Sequence, residues 1–571
     1  MRYVLAAVNA RFVHSCPALF AVRNEVVRHL PTCAVQLFQF TINDPYFATL
    51  QTIAGQEPTA CFFSVYIWNA DYIGRLVRDL TTILPHCPII LGGPQVSHGN
   101  SDWPAQCTIV RGEVEGLPPD FYRDLQNSTL RREYSAAPAP AFPLPYLAAD
   151  FDASLRNRYL YYESTRGCPF NCSYCLSSID KGIRRKDLAT VQGELTTLLA
   201  HSPTSLRFVD RTFNADLNRA LSIWRFLVDH AGDATCHFEI APDLFNDEIF
   251  EFLATVPAGR FDFEIGLQTT NPDSLAAINR AMDPARAMGN IARLTSLERI
   301  HVHLDLILGL PFETTASFRA SFNDAFGLNP HHLQMGLLKV LPGTELDQRR
   351  QEFGLLASTT PPYAVLATKW LTPEELRQLF WFGECVEAFF NNRYFRNFFT
   401  YLRQTRDDAF AFFERLLALC QAHDFFRLAP TQELTNRLLC RLVAADSDGD
   451  LLLEILRYDW LACGHRFLPA ELQPATPLST VRDRLWHQWP QSHPPLYDHA
   501  TRNEFFKKVT FAEFSGRALI ALGLNQTAED GIIAFLPTRE RTVLRHHQAV
   551  LLAPPPAPAK MLGKIRPNNV A

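Results

Sequence analysis

No uninterrupted apolar stretch in this chain reaches the ~18–20 residues that a membrane-crossing helix needs, so no membrane span is expected. Long basic runs are also missing and the formal net charge is −5, so the sequence does not advertise a nucleic-acid surface and no nucleic-acid partner is expected. No internal repeat is visible. The thirteen cysteines are odd in number and too sparse for a secreted disulfide scaffold. Cys61, Cys87, Cys236, Cys385, Cys420 and Cys440 lie singly inside apolar segments. A reducing cytoplasm is the expected setting. The opening residues, Met1 to Asn9, begin as a secretion signal does, but Asn9 and Arg11 interrupt the apolar run before any cleavage-like site. They read as a first buried strand.

What is present is ordinary globular material. The 571 residues are 47% hydrophobic and 20% charged, enough for about three or four domains. Over residues 1–134 strand-like runs (3–8, 34–40, 59–67, 88–91, 107–111) alternate with helix-like runs (18–29, 70–83). Such alternation predicts a parallel sheet with helices on both faces, a Rossmann-like or flavodoxin-like α/β domain. Residues 135–154 read as a linker, because 135–146 are rich in Pro and Ala. Alternation then resumes over 155–345. Strand candidates at 159–164, 206–209, 236–240, 261–267, 301–308 and 333–340 are separated by helical patterns, which predicts a partial (β/α)6 barrel. Barrels carry their chemistry at the C-terminal ends of the strands. From 346 to 545 the pattern is mainly helical. Thr372-Pro373-Glu374-Glu375 opens a helix. Residues 546–571, with Pro554-Pro555-Pro556-Ala557-Pro558, read as a disordered tail.

Three cysteines stand apart from the rest. Arg166-Gly167-Cys168-Pro169-Phe170-Asn171-Cys172-Ser173-Tyr174-Cys175 places three thiols within eight residues, directly after the first barrel strand. Four thiolates would saturate a [4Fe–4S] cluster, whereas three leave one iron open to another ligand. The competing reading is a zinc site whose fourth ligand is not visible. Cys-x3-Cys-x2-Cys in a strand–loop context resembles the hallmark of the radical S-adenosylmethionine (SAM) superfamily. The resemblance covers roughly 155–345. It implies a cluster on Cys168, Cys172 and Cys175 whose open iron binds SAM and whose electron cleaves it to a 5′-deoxyadenosyl radical. It also implies SAM contacts by Tyr174 and by residues at the later strand ends: Asp210, Arg211, Glu264 and Gln268. The family's Gly-Gly-Glu segment is absent as such, and Asp210-Arg211 occupies its place. A low-potential donor such as flavodoxin or ferredoxin is implied as electron source.

In the N-terminal domain, Ile89-Ile90-Leu91-Gly92-Gly93-Pro94 is a buried strand opening into a turn, and Val110-Arg111-Gly112-Glu113 ends the next strand. Ligands in open α/β sheets bind beyond strand C-termini. These segments, with Asn9, Ser64, Gly92, Gly93 and Pro94, are similar to the cobalamin-binding domain that precedes many radical SAM cores. Cobalamin is therefore an expected cofactor, with the lack of a Cβ at Gly93 making room for it. The Asp-x-His-x-x-Gly element that supplies a cobalt-ligating His is missing, so no protein His ligand is expected. Together with the helical C-terminal region, the pattern resembles the branch that carries a DUF4080 extension. The expected function is an enzyme that cleaves SAM for cobalamin-linked methyl transfer or a related radical transformation of an unidentified substrate.

Two other functions compete. A tRNA methylthiotransferase-like enzyme needs a second cysteine cluster and a basic RNA-binding domain, and neither is seen. A cluster-bearing sensor is disfavoured by the intact triad and Tyr174. Asp446-Ser447-Asp448-Gly449-Asp450 has its Gly at the wrong position for a calcium loop and reads as a solvated turn. Cys463-Gly464-His465 is too isolated for zinc, and the Phe380–Phe399 aromatics read as core.

Overall fold

In the first strand, β1 (Arg2–Asn9), Val4, Ala6 and Val8 point to one face and Tyr3, Leu5 and Ala7 to the other, and all six are buried. A strand dry on both faces needs a layer on each side. In this computed structural model, which describes residues 1–99, 103–179, 182–488, 501–537 and 547–552, both layers are present. β2 (Ala34–Thr41), β3 (Ala60–Ser64), β4 (Ile89–Gly92), β5 (Cys107–Arg111) and β6 (Glu133–Ser135) join β1 in one parallel sheet, ordered β2-β1-β3-β4-β5-β6. Helices Tyr46–Ala54 and Ala70–Ile83 cover one face; Pro17–His29 and Pro119–Asn127 cover the other. This is the flavodoxin-like order, whose switch point lies between β1 and β3. There the Asn69 amide donates to Val8 O (2.9 Å) and Ser64 O (3.2 Å) and ties the two strand ends together. Helix Tyr46–Ala54 was not foreseen.

The expected linker is not free chain. Ala139, Phe142 and Tyr146 are buried, residues Ala148–Asp152 are helical, and Asp150 pairs with Arg23 at 2.5 Å.

The second sheet is built from β7 (Leu160–Tyr162), β8 (Ser205–Phe208), β9 (Thr235–Glu239), β10 (Phe261–Gln268), β11 (His301–Leu308) and β12 (His332–Leu337). All are parallel and neighbour one another in chain order, the curved-sheet topology of a partial barrel. The compact unit continues to Glu384, beyond the expected end at 345. Backbone bonds cause this: Val340 N to Tyr363 O and Val365 N to Leu338 O fold residues 356–367 back onto the end of β12.

The second unit begins at Cys385. It is mainly helical, as expected. Asp459, buried within helix Gly449–Ala462, accepts from the Asn397 and Phe398 backbone N–H groups and so caps helix Arg396–Thr405. The unit also holds an antiparallel sheet of Thr510–Phe514, Gly531–Leu536 and Gln548–Leu552. Part of the expected tail is therefore a strand, while Pro554–Pro558 lie outside the described residues. Asp446 and Asp448 pair with Arg415 and Arg406 at 2.7 Å each and lead into a helix; with their side chains mostly buried, this is an ion-paired helix start rather than the solvated turn expected.

Gly93 has φ +104°, and a Cβ there would lie 2.6 Å from Val65 O and 2.9 Å from Val65 N. Its missing Cβ serves the approach to the backbone of Val65, just past the end of β3, which cannot yield as a side chain would. Gly93→Ala is expected to cost about 1–3 kcal/mol and to lower the apoprotein's unfolding midpoint. At Gly92 a Cβ would sit 3.8 Å from Val110 O, an ordinary contact, so Gly92→Ala is expected to stay near wild type. Equal midpoints for Gly93→Ala and wild type would contradict this reading.

Candidate active site

The cysteine loop leaves the sheet after β7 through a neck in which Thr165–Arg166 pairs antiparallel with Arg184–Arg185. The neck is tight. Gly167 has φ +93°, and a Cβ there would fall 2.1 Å from Gly182 O. Within the loop, Cys168, Cys172 and Cys175 are free thiols that line one cavity of about 210 Å³. The cavity opens at the C-terminal ends of the strands. It is walled by Tyr174 from the loop, Arg211 and Thr212 after β8, Glu239 of β9, Glu264, Gly266 and Gln268 of β10, Arg280, and Asp305 of β11. The triad, Tyr174, Arg211, Glu264 and Gln268 are thus brought together around one cavity.

Asp210 is not. It is buried, and its carboxylate accepts from Ser164 N (3.0 Å) and Ser164 Oγ (2.6 Å). Burial pushes its carboxyl above the ordinary range, while the Ser164 bonds pull against it. Asp210 fastens the end of β7 just before the cysteine loop; it does not line the cavity. Glu313, too, is fully buried, accepting from Ser317 Oγ at 2.9 Å. Asn9 is occupied by His14 O (3.2 Å) and Gln39 Oε1 (3.4 Å), and Ser64 is buried beside it at the switch point of the other sheet.

Local backbone irregularity shapes the cavity. β10 and β11 shift register between Gly266 and Gln268, and Gln268 has φ +70°. Bulges and left-handed non-glycine residues re-aim side chains at sites. A Cβ at Gly266 would fall 2.1 Å from Gln268 Nε2, so glycine there makes room for Gln268. Arg280, which the sequence reading missed, reaches in from beyond helix Pro272–Ala277. It donates to Gly266 O (2.6 Å) and to Cys172 Sγ (3.6 Å). Thr212 Oγ1 lies 3.5 Å from Cys168 Sγ.

The donor set discriminates between metals. Among the described residues, no three His, Cys, Asp or Glu side chains converge closely enough to hold a single ion. A mononuclear zinc needs four donors around one point. Three thiols spread around a cavity suit a larger body, with Arg280 a fixed positive charge beside an anionic thiolate-ligated cluster. Among the cavity-lining residues, Gln268 Oε1 and Arg280 Nε are buried without hydrogen-bond partners. Buried polar atoms are normally satisfied, and a bound cofactor would satisfy these.

Below the cavity the strands carry polar side chains inward. His301 Nδ1 meets Asp262 (2.9 Å), Asp262 meets His237 Nδ1 (3.2 Å), and His237 Nε2 meets Glu264 (3.1 Å). Burial lowers His237, but Asp262 and Glu264 more than reverse it and raise its pKa to about 9. The His237 hydrogen bond holds Glu264 below its ordinary value. Glu239 sits opposite Glu264 across β9 and β10. Among the described residues its one ion pair is with Arg211 at 3.8 Å, and burial with the Glu264 charge pushes it up to about 7.

The sequence is similar to known families. The family described as "Radical SAM superfamily" matches residues 162–325, and "Protein of unknown function (DUF4080)" matches 351–523. The chain carries a radical SAM domain followed by a DUF4080 region. More particularly, it is 27% identical over 422 residues to the 2-(S-pantetheinyl)-carbapenam-3-carboxylate methyltransferase of Streptantibioticus cattleyicolor, covering 63% of this chain and 61% of that one. It is 25% identical over 365 residues to the cobalamin-dependent radical SAM methyltransferase TokK of Streptomyces tokunonensis, covering 57% and 53%. The chain thus spans less than two thirds of the length of these relatives. In fold it is similar to the cobalamin-dependent S-adenosylmethionine radical enzyme OxsB solved with aqua-cobalamin and S-adenosylmethionine, with a TM-score of 0.55, 10% identity, and 91% and 83% of the two chains covered.

Glu239 gives a pH prediction. Its folded pKa, about 7, lies above the ordinary 4.5. Ionising it therefore costs folded-state stability that is intact below 4.5 and lost as pH rises through 7. Glu239→Gln apoprotein is expected to unfold at higher denaturant than wild type at pH 8, with the gap closing towards pH 4.5. A gap that does not change with pH would contradict the assignment.

Proposed function

We propose that this chain is a cobalamin-dependent radical SAM methyltransferase. The observation that carries the proposal is the placing of three free thiols, Cys168, Cys172 and Cys175, around one cavity at the C-terminal ends of a parallel half-barrel. The two relatives described above, both methyltransferases by name, support the reaction class. A [4Fe–4S] cluster held by the three thiolates would supply the electron that cleaves SAM, and cobalamin would supply the methyl-carrying cobalt.

The chain's own residues have the remaining tasks. Tyr174 flanks the cluster ligands. Gln268, Glu264 and Arg211 face the cavity with polar groups suited to the amine, carboxylate and ribose of SAM. Arg280 fixes the Cys172 side of the loop. Asp210 holds the strand end on which the loop is hung. On the N-terminal sheet, the C-terminal edge presents the exposed Phe12 and Trp68, the latter stacked on Tyr66 at 4.3 Å, as apolar surface for a corrin. His14 Nδ1 is taken by Tyr161 OH at 2.5 Å, in keeping with cobalamin bound without a protein imidazole. The methyl acceptor is an unidentified substrate. A low-potential flavodoxin or ferredoxin would reduce the cluster, and the cytoplasm is the compartment that suits both. Among the described residues no helix is long and apolar enough to cross a membrane.

Anaerobic reconstitution tests the reading. Wild type is expected to take up about four irons with absorbance near ~410 nm and, with dithionite and SAM, to release 5′-deoxyadenosine. The triple change Cys168→Ala, Cys172→Ala, Cys175→Ala is expected to lose all three properties; full iron in that variant would sink the cluster assignment. Wild type reconstituted with hydroxocobalamin should retain corrinoid through gel filtration, with no imidazole-nitrogen coupling in the Co(II) spin-resonance spectrum. Corrinoid that washes away would remove the cobalamin half of the proposal.

A further inference from the structure

The neck of the cysteine loop has an electrostatic problem. Arg166 and Arg184 stand directly opposite each other in its two-residue ladder. Like charges at such positions push strands apart. Three carboxylates answer them, and two come from the N-terminal sheet, in the turn that follows β5. Glu113 Oε2 accepts from Arg166 Nη1 (3.0 Å) and Arg184 Nη1 (2.7 Å), and its other oxygen also pairs with Arg184. Glu115 accepts from Arg166 Nη2 (2.9 Å) and Nη1 (3.3 Å). Glu163, on the barrel side, accepts from Arg166 Nε (2.8 Å). Glu113 also takes the Ala139 N–H (3.1 Å), which fixes the connecting segment, and Phe142 lies under the Arg166 guanidinium at 4.6 Å. The side chains of Arg166 and Glu115 are only 18% and 10% exposed, so these pairs are screened less than surface pairs.

We propose that Glu113 and Glu115 are positioning residues for the cluster ligands: the N-terminal domain closes the neck of the cysteine loop by bridging two arginines that would otherwise repel. This rests on the reading of the loop as the cluster loop. The three thiols hang from a neck in which Arg184 is held by Glu113, a carboxylate supplied by the other domain. Arg111, two residues before Glu113, donates to Val96 O (2.9 Å) and Ser97 O (2.6 Å) in the segment after the Gly92-Gly93 turn. The Gly92-Gly93 turn at the C-terminal edge of the N-terminal sheet is thereby joined to the loop that is proposed to hold the cluster.

Charge balance makes a distinctive prediction. Removing the bridging carboxylate should open the neck, and removing one of the opposed arginines as well should close it again. Full-length wild type, Glu113→Gln and Glu113→Gln/Arg184→Gln are compared. In apoprotein, alkylation of Cys168 and Cys175 by iodoacetamide is followed peptide by peptide. Glu113→Gln should speed it by about tenfold or more, equivalent to ~1.4 kcal/mol of loop opening. The double variant should return to within about threefold of wild type, as coupled neighbours do. After reconstitution, 5′-deoxyadenosine formed per cluster should fall and recover in the same order. Wild-type alkylation in Glu113→Gln overturns the proposal. So does a double variant worse than the single one, because Glu113 would then be supplying hydrogen bonds rather than balancing charge. If Glu113→Gln does not fold, Glu115→Gln, which leaves the Glu113–Arg184 pair intact, is read the same way. The alkylation arm needs neither iron nor SAM. A wild type that took up no cluster would defeat the functional reading and leave this result standing.

Discussion

In β10 the side chains of Phe261, Phe263, Ile265 and Leu267 are fully buried on one face, while Asp262, Glu264, Gly266 and Gln268 face the other way. β11 repeats the pattern, with Val302, Leu304, Leu306 and Leu308 on the dry face and His301, His303 and Asp305 opposite. Since the side-chain period of a strand is two, a slip of one residue would put every one of these charges into the apolar layer. The dry face fixes the register, and the register fixes which polar groups meet inside the half-barrel. Glu264 stands between Glu239 and His303, and Gly266 beside Asp305, because the ladder leaves them no choice.

A lumen lined this way has to balance charge before it can bind anything. His237 bridges Asp262 and Glu264. Burial works against Asp262, yet His237 and His301 hold its carboxyl well below the usual range. His303 does the same service for Asp305 at 3.2 Å, although burial still leaves that carboxyl raised. Glu239 is left with no imidazole. Two glutamates in one register row therefore titrate in opposite directions, Glu264 downwards and Glu239 upwards. Divergent neighbouring acids of this kind are what acid–base chemistry uses. Arg280 and Arg211 add the positive charges that face the cysteines.

Much of this was legible in the sequence because it is periodic or local. β5 and β11 end where their apolar runs end, and helix Ala70–Ile83 is bounded as read. The cysteine triad announces itself by spacing alone. What was not legible depends on contacts distant in sequence. Arg280 carries no motif, and only the turn after helix Pro272–Ala277 brings it to Cys172, 108 residues away. Asp210 stands at a strand end, where the family pattern suggests a ligand contact, but Ser164, 46 residues earlier, takes its carboxylate. A strand end can serve the substrate or its neighbouring strand, and sequence does not say which. The one sequence signal for His237 and Glu239 is weak: polar residues at alternate positions in a short apolar strand.

The Gly92-Gly93-Pro94 and Arg111-Gly112-Glu113 segments show how such ambiguity resolves. Both lie at strand C-termini, where a flavodoxin-like sheet binds its ligand. Gly93 was read as space for that ligand. In the structure Gly93 brings its own backbone against Val65, and Gly112, at φ +86°, would place a Cβ 3.0 Å from Ala136 O. The space is used within the protein, to let chain pass close to chain. That close passage carries Glu113 to Arg166 and Arg184. A motif that looks like a ligand cradle is, at these two positions, the means by which one sheet reaches the loop of the other.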